Sequence, residues 1–295
     1  MLFQSYKQSK PETVTNTNLK RRKLLSHEFD DINTKTRLKT SELHEQCSIG
    51  LHFINESKNR YNDVAPLDKT RVKLLGLKND YINGSYIQID SLENKYISTQ
   101  APLPHTFRDF WKMVWDQKSS VIMMLTNFSE NGKTKAHRYW PGKSKKYSYK
   151  SDETIDNNPI EMEIILIDRK AIGLFGLRQF LLKHNGEERT VHHIQYSNWG
   201  DHSQPTSIKD IEKLIMYMEL FKITGEIAGL DGPPIIHCSA GVGRAGTFIV
   251  CSLIRQLKLA RKEINIPNLI VEVRECRVGM VQTPDQYDFI CNFAS

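Results

Sequence analysis

Apolar and polar positions change period several times along this chain, and each change marks an element. In PHTFRDFWKMVWDQ (residues 104–117), Phe107, Phe110, Trp111, Val114 and Trp115 recur at helical spacing behind a Pro and a Thr that act as start signals. SIKDIEKLIMYMELFK (207–222) repeats the helical period, with Ser207 and Asp210 as a box-like start. GSYIQI (84–89) and KYISTQ (95–100) read as short strands, with Asn94 and Lys95 near the turn between them. SVIMMLTNF (120–128), with its apolar stretch Val121 to Leu125, reads as a buried strand, and PPIIHC (233–238) as a short strand. The stretch from Glu161 to Tyr196 reads as three antiparallel strands, with a turn at Asn185–Gly186. RAGTFIVCSLIRQLKLARK, beginning near Arg244, predicts a long helix, and NLIVEVRE and PDQYDFICNF predict two more. SELHEQCSIGLHFINESKNRYNDVAPLD, from Ser41, reads as an amphipathic helix that breaks into a loop before Pro66. Residues 1–24 are polar and poor in large apolar groups, so a flexible basic tail is expected there and one domain over 25–295. Mixed strands flanked by helices, without repeats, give the fold class: a single α/β domain of α+β type around a twisted mixed sheet.

The segment PPIIHCSAGVGRAGTFIV (233–250) stands apart, because a thiol sits where a strand stops and a run of small residues leads to an arginine. Such a thiol can be packing, a metal ligand, half of a disulfide or a nucleophile. A strand, a glycine-rich turn and a helix start suit an anion: the turn's N–H groups converge and the helix dipole adds partial positive charge. Gly241, Gly243 and Gly246 let the backbone curl, and Arg244 offers a fork that matches two phosphate oxygens. Cys238 lies where the central atom of that anion is approached from below, in a field that lowers thiol pKa values to ~3.5–7.5. A thiolate there is a nucleophile for phosphoryl transfer. Cys251, Cys276 and Cys291 instead read as small buried hydrophobes.

Composition narrows the classes. Hydrophobic residues are 39% and charged residues 25% of the 295 positions, ordinary for a globular protein. No run approaches about 18 uncharged apolar residues, so no membrane span is expected, and the N-terminus lacks the apolar core of a secretory signal. Five cysteines, an odd number without paired metal-ligand spacing, point to free thiols in a reducing compartment. The net charge of +7 favours anionic partners. Lys20 to Lys23 could serve as a nuclear address, although a solvated tail is the plainer reading. No aromatic residues alternate with basic ones along a strand as in RNA-binding sheets, which disfavours nucleic acid as a partner.

HCSAGVGRAG (237–246) resembles the signature loop of the protein tyrosine phosphatases, and other blocks follow in the family's order. KNRYNDVAPLDKTRV is similar to the family's phosphotyrosine-recognition loop; DYINGSYI, QAPLPHTFRDFW, WGD and VQTPDQYDFI resemble further blocks, so the likeness covers about residues 45–294. The resemblance implies a two-step reaction on phosphotyrosine proteins, signalling proteins among them, through a phosphocysteine. Cys238 is then the nucleophile, Arg244 the phosphate ligand, Asp201 the general acid and Gln282 the residue that positions water, with Gln286 as a second candidate. Ser239, Ala240, Gly241, Val242 and Gly243 would cradle the phosphate. Tyr61 would line the substrate ring and set the pocket's depth, and Asp63 would bind the substrate backbone. His237 would tune the thiolate, Glu130 would hold the loop arginine, and Lys135 would stand near the acid loop. Neither metal nor organic cofactor is required, and a cytoplasmic monomer is expected. The Lys-, Asn- and Ile-rich composition, without adaptor modules, resembles the phosphatases carried by bracoviruses, which would place it in the host cytoplasm.

Three positions depart from the family pattern. Residue 245 is Ala where a Ser or Thr hydroxyl normally helps the sulfur leave; residue 200 is Gly where Pro is usual; residue 84 is Gly where Ala is common. Ala245 and Gly200 keep open an alternative: a catalytically weak relative that captures phosphotyrosine proteins without releasing them.

Overall fold

The structure, a computed structural model, describes residues 16–142, 145–156, 159–200, 204–205 and 207–295. Among these, the helices are α1 (Asn16–Thr36), α2 (Thr40–Gln46), α3 (Phe53–Glu56), α4 (Phe107–Asp116), α5 (Ile208–Ile227), α6 (Gly243–Leu259), α7 (Ile266–Cys276) and α8 (Pro284–Ala294). The strands are β1 (Arg71–Lys73), β2 (Tyr81–Gln88), β3 (Lys95–Thr99), β4 (Val121–Met124), β5 (Ser129–Glu130), β6 (Lys133–Thr134), β7 (Lys146–Ser151), β8 (Ile160–Ile172), β9 (Phe175–His184), β10 (Glu187–Tyr196) and β11 (Ile235–His237).

Nine strands form one mixed sheet in the order β1-β2-β3-β11-β4-β10-β9-β8-β7, and β5 pairs with β6 alone. At the centre, β11 runs parallel to both β3 and β4, and β4 runs parallel to β10. The apolar stretches become these central strands because both their faces are covered. Val121, Met123 and Ile236 face a cluster with Ile215 and Met218 of α5, Ile249 and Leu253 of α6 and Ile290 of α8. Ile122, Met124 and Ile235 face the opposite cluster, with Phe110, Trp111 and Val114 of α4. Each such fully buried side chain contributes about 1.5–3 kcal/mol. The cysteine loop begins at the carboxyl end of the central strand β11, where open α/β sheets place their ligands.

The long antiparallel hairpins follow the alternating pattern. Asn185 and Gly186 both take positive φ, 49° and 79°, which two-residue hairpin turns require. Three expectations change. The helix expected from Ser41 is two short ones, because Asp68 folds back over its end: its carboxylate accepts from Ser48 Oγ at 2.6 Å and Ile49 N at 3.1 Å, while Asp68 N donates to Gln46 O. Those bonds satisfy groups that would otherwise continue the helix. Helix α1 begins at Asn16, inside the stretch expected as tail; Phe29 packs on Tyr287, and Arg21 pairs with Asp288 at 3.2 Å. The short strands β1 and β7 were not expected; both are edge strands, where a sequence signal is weakest.

Candidate active site

Residues 238–242 connect β11 to α6, with Gly241 inside the loop and Gly243 and Gly246 in the first turn of the helix. Gly241 has φ +74°, and a Cβ there would lie 2.3 Å from Thr99 O. A Cβ on Gly243 would lie 2.5 Å from Gln282 Oε1, so that glycine keeps the space Gln282 occupies. Helix α6 starts without a side-chain cap, so its N-cap Val242 takes up none of its first N–H groups. Cys238 is buried, and its Sγ accepts from Gly241 N at 3.3 Å.

The loop's carbonyls are turned outward by a residue that sequence reasoning missed. Arg277, fully buried, donates from Nε to Gly241 O at 2.9 Å, from Nη2 to Ala240 O at 3.0 Å and Asn83 Oδ1 at 2.7 Å, and from Nη1 to Ser85 Oγ at 3.1 Å. Fixing the carbonyls outside fixes the N–H groups inside. Burial pushes the Arg277 guanidinium down to about 10, against the pull of Tyr81 and Cys238. Asn83 extends the brace: its Nδ2 donates to Val64 O and Asn59 Oδ1, tying the Tyr61 segment to the same frame.

Arg244 Nη1 donates to Glu130 Oε1 at 2.7 Å and to Trp199 O at 2.8 Å. Glu130 thus holds the arginine, and the backbone two residues before Asp201 is tied to the same guanidinium. Asp201 itself lies outside the described residues. Ser239 has one hydroxyl hydrogen, which goes to Lys135 O at 2.7 Å, so Tyr61 OH donates to Ser239 Oγ at 2.8 Å. The loop is in this way joined to both flanking walls.

Gln282 follows Val281, a β-branched residue at φ +61°, an outlying conformation for that side chain. Val281 N donates to Val242 O at 3.1 Å, and Arg274 holds the carbonyls of Met280 and Val281. The surroundings over-determine the strained residue and set Gln282 beside the loop. Gln286 Oε1 accepts from Gln282 N at 2.8 Å. Ala245 is fully buried, and among the described residues the Gly241 amide is the donor to Cys238 Sγ.

Beneath the loop, a row of buried polar groups has a fixed direction. Cys238 O only accepts, so His237 Nδ1 carries the hydrogen of their 3.0 Å bond, and His237 Nε2 accepts from Tyr139 OH at 2.8 Å. Tyr139 has then spent its hydrogen and accepts from His193 Nε2 at 2.9 Å, and His193 Nδ1 accepts from Arg178 Nη1 at 3.3 Å. Both histidines are neutral in this arrangement. Burial lowers His237 to about 4 and His193 well below the usual histidine range.

Tyr61, Asp63, Lys135, Cys238, Ser239, Ala240, Arg244, Gln282 and Gln286 line one cleft of about 220 Å³. Gly241, Val242, Gly243 and Ala245 do not line this cleft; they carry the chain from the cysteine loop into α6. His237 is bonded to Cys238 O, and Glu130 to Arg244. A larger hollow of about 500 Å³ lies at the β7–β8–β9 end, among Lys–Glu pairs such as Lys183–Glu188; no thiol lines it. Among the described residues no three His, Cys, Asp or Glu side chains gather as a metal site, and no helix is long and apolar enough to cross a membrane.

Residues 55–295 match the family model described as protein-tyrosine phosphatase. Human tyrosine-protein phosphatase non-receptor type 2 is 34% identical over 274 residues, covering 90% of this chain and 63% of that protein. Mouse tyrosine-protein phosphatase non-receptor type 20 is 35% identical over 296 residues, covering 98% and 64%. Tyrosine-protein phosphatase 3 of Dictyostelium discoideum is 40% identical over 250 residues, covering 80% and 24%. The chain thus spans less than two thirds of each of these relatives. A match that takes in the cysteine loop, its arginine braces and the walls of the cleft shows that this chain belongs to the protein-tyrosine phosphatase family.

Proposed function

We propose that the protein hydrolyses phosphotyrosine in proteins through a phosphocysteine. The observation that carries this reading is the convergence of Cys238, Arg244, Gln282 and Tyr61 on one cleft, beside which the Gly241 amide donates to the sulfur; we read the loop's amides as a ring for the phosphate. A phosphate in that ring meets amides and a guanidinium already fixed in place, the preorganised electrostatics that stabilise charge in a transition state. Cys238 Sγ attacks phosphorus, the bond from phosphorus to the tyrosine oxygen breaks, and Asp201 gives its proton to that oxygen. Water, oriented by the Gln282 amide, then attacks the phosphocysteine; the sulfur leaves, phosphate is released and Asp201 regains its proton.

Tyr61 supports selection of phosphotyrosine. Its ring forms one wall and its hydroxyl is fixed to Ser239, so a residue shorter than tyrosine would leave its phosphate short of the floor. Such a depth disfavours a dual-specificity reading. The relatives' names, tyrosine-protein phosphatases of non-receptor type, support the same substrate and a site of action inside the cell.

Ala245 favours a second reading, capture of phosphotyrosine proteins with little turnover, because a methyl group stands where a hydroxyl would assist sulfur departure. Turnover of a phosphotyrosine peptide, set beside the phosphoserine peptide and the Cys238→Ser protein, separates the two. Hydrolysis of the first substrate alone, lost in Cys238→Ser, is expected. Tight binding with no turnover by the wild type would favour capture, and equal turnover by Cys238→Ser would end both readings.

A further inference from the structure

A second cleft, of about 370 Å³, lies outside the catalytic one, and Arg138, Arg169, Lys170 and Arg178 line it with Phe128 and Trp140. Arg169 and Arg178 are direct cross-strand partners on β8 and β9, and like charges in that position repel. No ion pair is formed by any of these four cations among the described residues. The adjacent carboxylate, Asp168, accepts instead from the Arg169 backbone amide at 2.8 Å. The guanidinium of Arg178 lies 4.5 Å from the centre of the Trp140 ring and that of Arg138 lies 5.9 Å from it, so the indole organises two of the cations. Gly176 leaves room for Arg178: a Cβ there would lie 3.3 Å from its Nη1. Burial, with Arg138 and Arg169 nearby, also holds the Arg178 guanidinium below its ordinary range. The hairpin keeps a repulsive arrangement that a bound anion would relieve.

This cleft borders the catalytic one. Residues 135–140 form a shared partition, with Lys135 lining the catalytic side and Arg138 and Trp140 the other. Three peptide units separate Lys135 from Arg138, about 11 Å at full extension, which an extended peptide covers in about four residues. Arg178 Nη2 also donates to Gln195 Oε1 at 3.1 Å, and Gln195 Nε2 donates to Thr126 O, so this wall is tied to the strand that leads into the Trp199 segment.

We propose that this cleft binds an acidic or phosphorylated stretch of the same protein whose phosphotyrosine enters the catalytic cleft. The proposal rests on the phosphotyrosine-hydrolase reading above. It makes anionic side chains within a few residues of the phosphotyrosine a determinant of substrate choice.

The test uses the full chain with Cys238→Ser and two fluorescent phosphotyrosine peptides of equal length. One carries Glu at positions three to six on either side of the phosphotyrosine, the other Gln. At low salt the Glu peptide is expected to bind about three- to tenfold more tightly, an advantage removed by Arg169→Glu with Lys170→Glu. Arg169→Gln with Lys170→Gln is the milder pair and should remove most of it. In the background that keeps Cys238, both pairs should leave hydrolysis of p-nitrophenyl phosphate unchanged. An equal Glu-to-Gln ratio in parent and variants would overturn the proposal, as would a ratio of one in the parent. Loss of binding to phosphatidylserine vesicles with the peptide ratio intact would reassign the cleft to a membrane surface and overturn it too. If the wild type turned over no phosphotyrosine peptide while the ratio still depended on Arg169 and Lys170, the hydrolase reading would fall and the anion site would stand.

Discussion

Replacing Arg277 by methionine removes a buried guanidinium that donates to four acceptors and leaves a side chain of similar length. Gly241 O keeps its bond from Ser98 Oγ at 2.9 Å, whereas Ala240 O and Asn83 Oδ1 lose the donor they share. Each buried acceptor left unmet costs about 1–3 kcal/mol, so two cost about 2–6 kcal/mol. Release of the guanidinium from its own desolvation returns part of this, and a net loss of about 2–4 kcal/mol is expected. That is a large share of a typical domain's 5–15 kcal/mol, so the urea midpoint should fall by about 0.7–4 M at an m of about 1–3 kcal/mol per molar. With the carbonyls released, the loop's amides lose their inward aim, and kcat/KM should fall by about 10²-fold or more. Urea unfolding followed by tryptophan fluorescence measures the first effect. Tungstate binding under conditions where the variant is fully folded measures the second. A loss below about 0.5 kcal/mol with unchanged tungstate affinity would refute the reasoning that Arg277 shapes the anion site.

Three further outcomes are expected. Ala245→Ser supplies a donor toward the sulfur; a hydrogen bond to a charged group is worth about 1.5–3 kcal/mol, so the second step should quicken by about ten- to a hundredfold, and the wild type's product burst before steady turnover should shrink or vanish. An unchanged burst and steady rate would count against that role for the missing hydroxyl. Gly200→Pro restricts the backbone before Asp201, worth about 0.4–1 kcal/mol, and kcat should rise by about two- to fivefold; an unaltered kcat and acid limb of the pH profile would reject it. The folded-state pKa of His237, about 4, lies below the ordinary 6.5, so the unfolded chain takes up the proton first as pH falls. Stability should therefore decline from about pH 6.5 down to about pH 4, by up to about 3 kcal/mol from this group. His237→Asn should show a smaller acid loss in urea unfolding; an equal loss would mean that His237 is not the group responsible.

The readings that succeeded from sequence rest on local pattern. Alternation from Glu161 to Tyr196 and the Asn185–Gly186 turn gave three strands, and the helical spacing of Phe107 to Trp115 gave α4, because each signal lies within a few residues of its cause. The cysteine loop was legible for the same reason: its glycines, thiol and arginine are contiguous. Arg277 was not legible, since its partners at 83, 85, 240 and 241 are far away in the chain and it follows a helix that reads as ordinary. The strain at Val281 has no composition signal, because valine gives no warning of positive φ; only its position one before Gln282 marks it. The row from Arg178 through His193 and Tyr139 to His237 joins four separate segments, and each member alone reads as a core or surface residue. The Asp68 clasp that splits the helix from Ser41 is long-range in the same way, and local propensity yielded to it.

Mass spectrometry of the wild type, quenched early in its reaction with a phosphotyrosine peptide and digested, tests whether the sulfur at 238 carries the phosphoryl group. The peptide that contains Cys238 should gain the mass of one phosphoryl group during the burst, and the Cys238→Ser protein should show no gain and no turnover. Phosphate on a different residue, or turnover that survives in Cys238→Ser, would contradict the proposed chemistry.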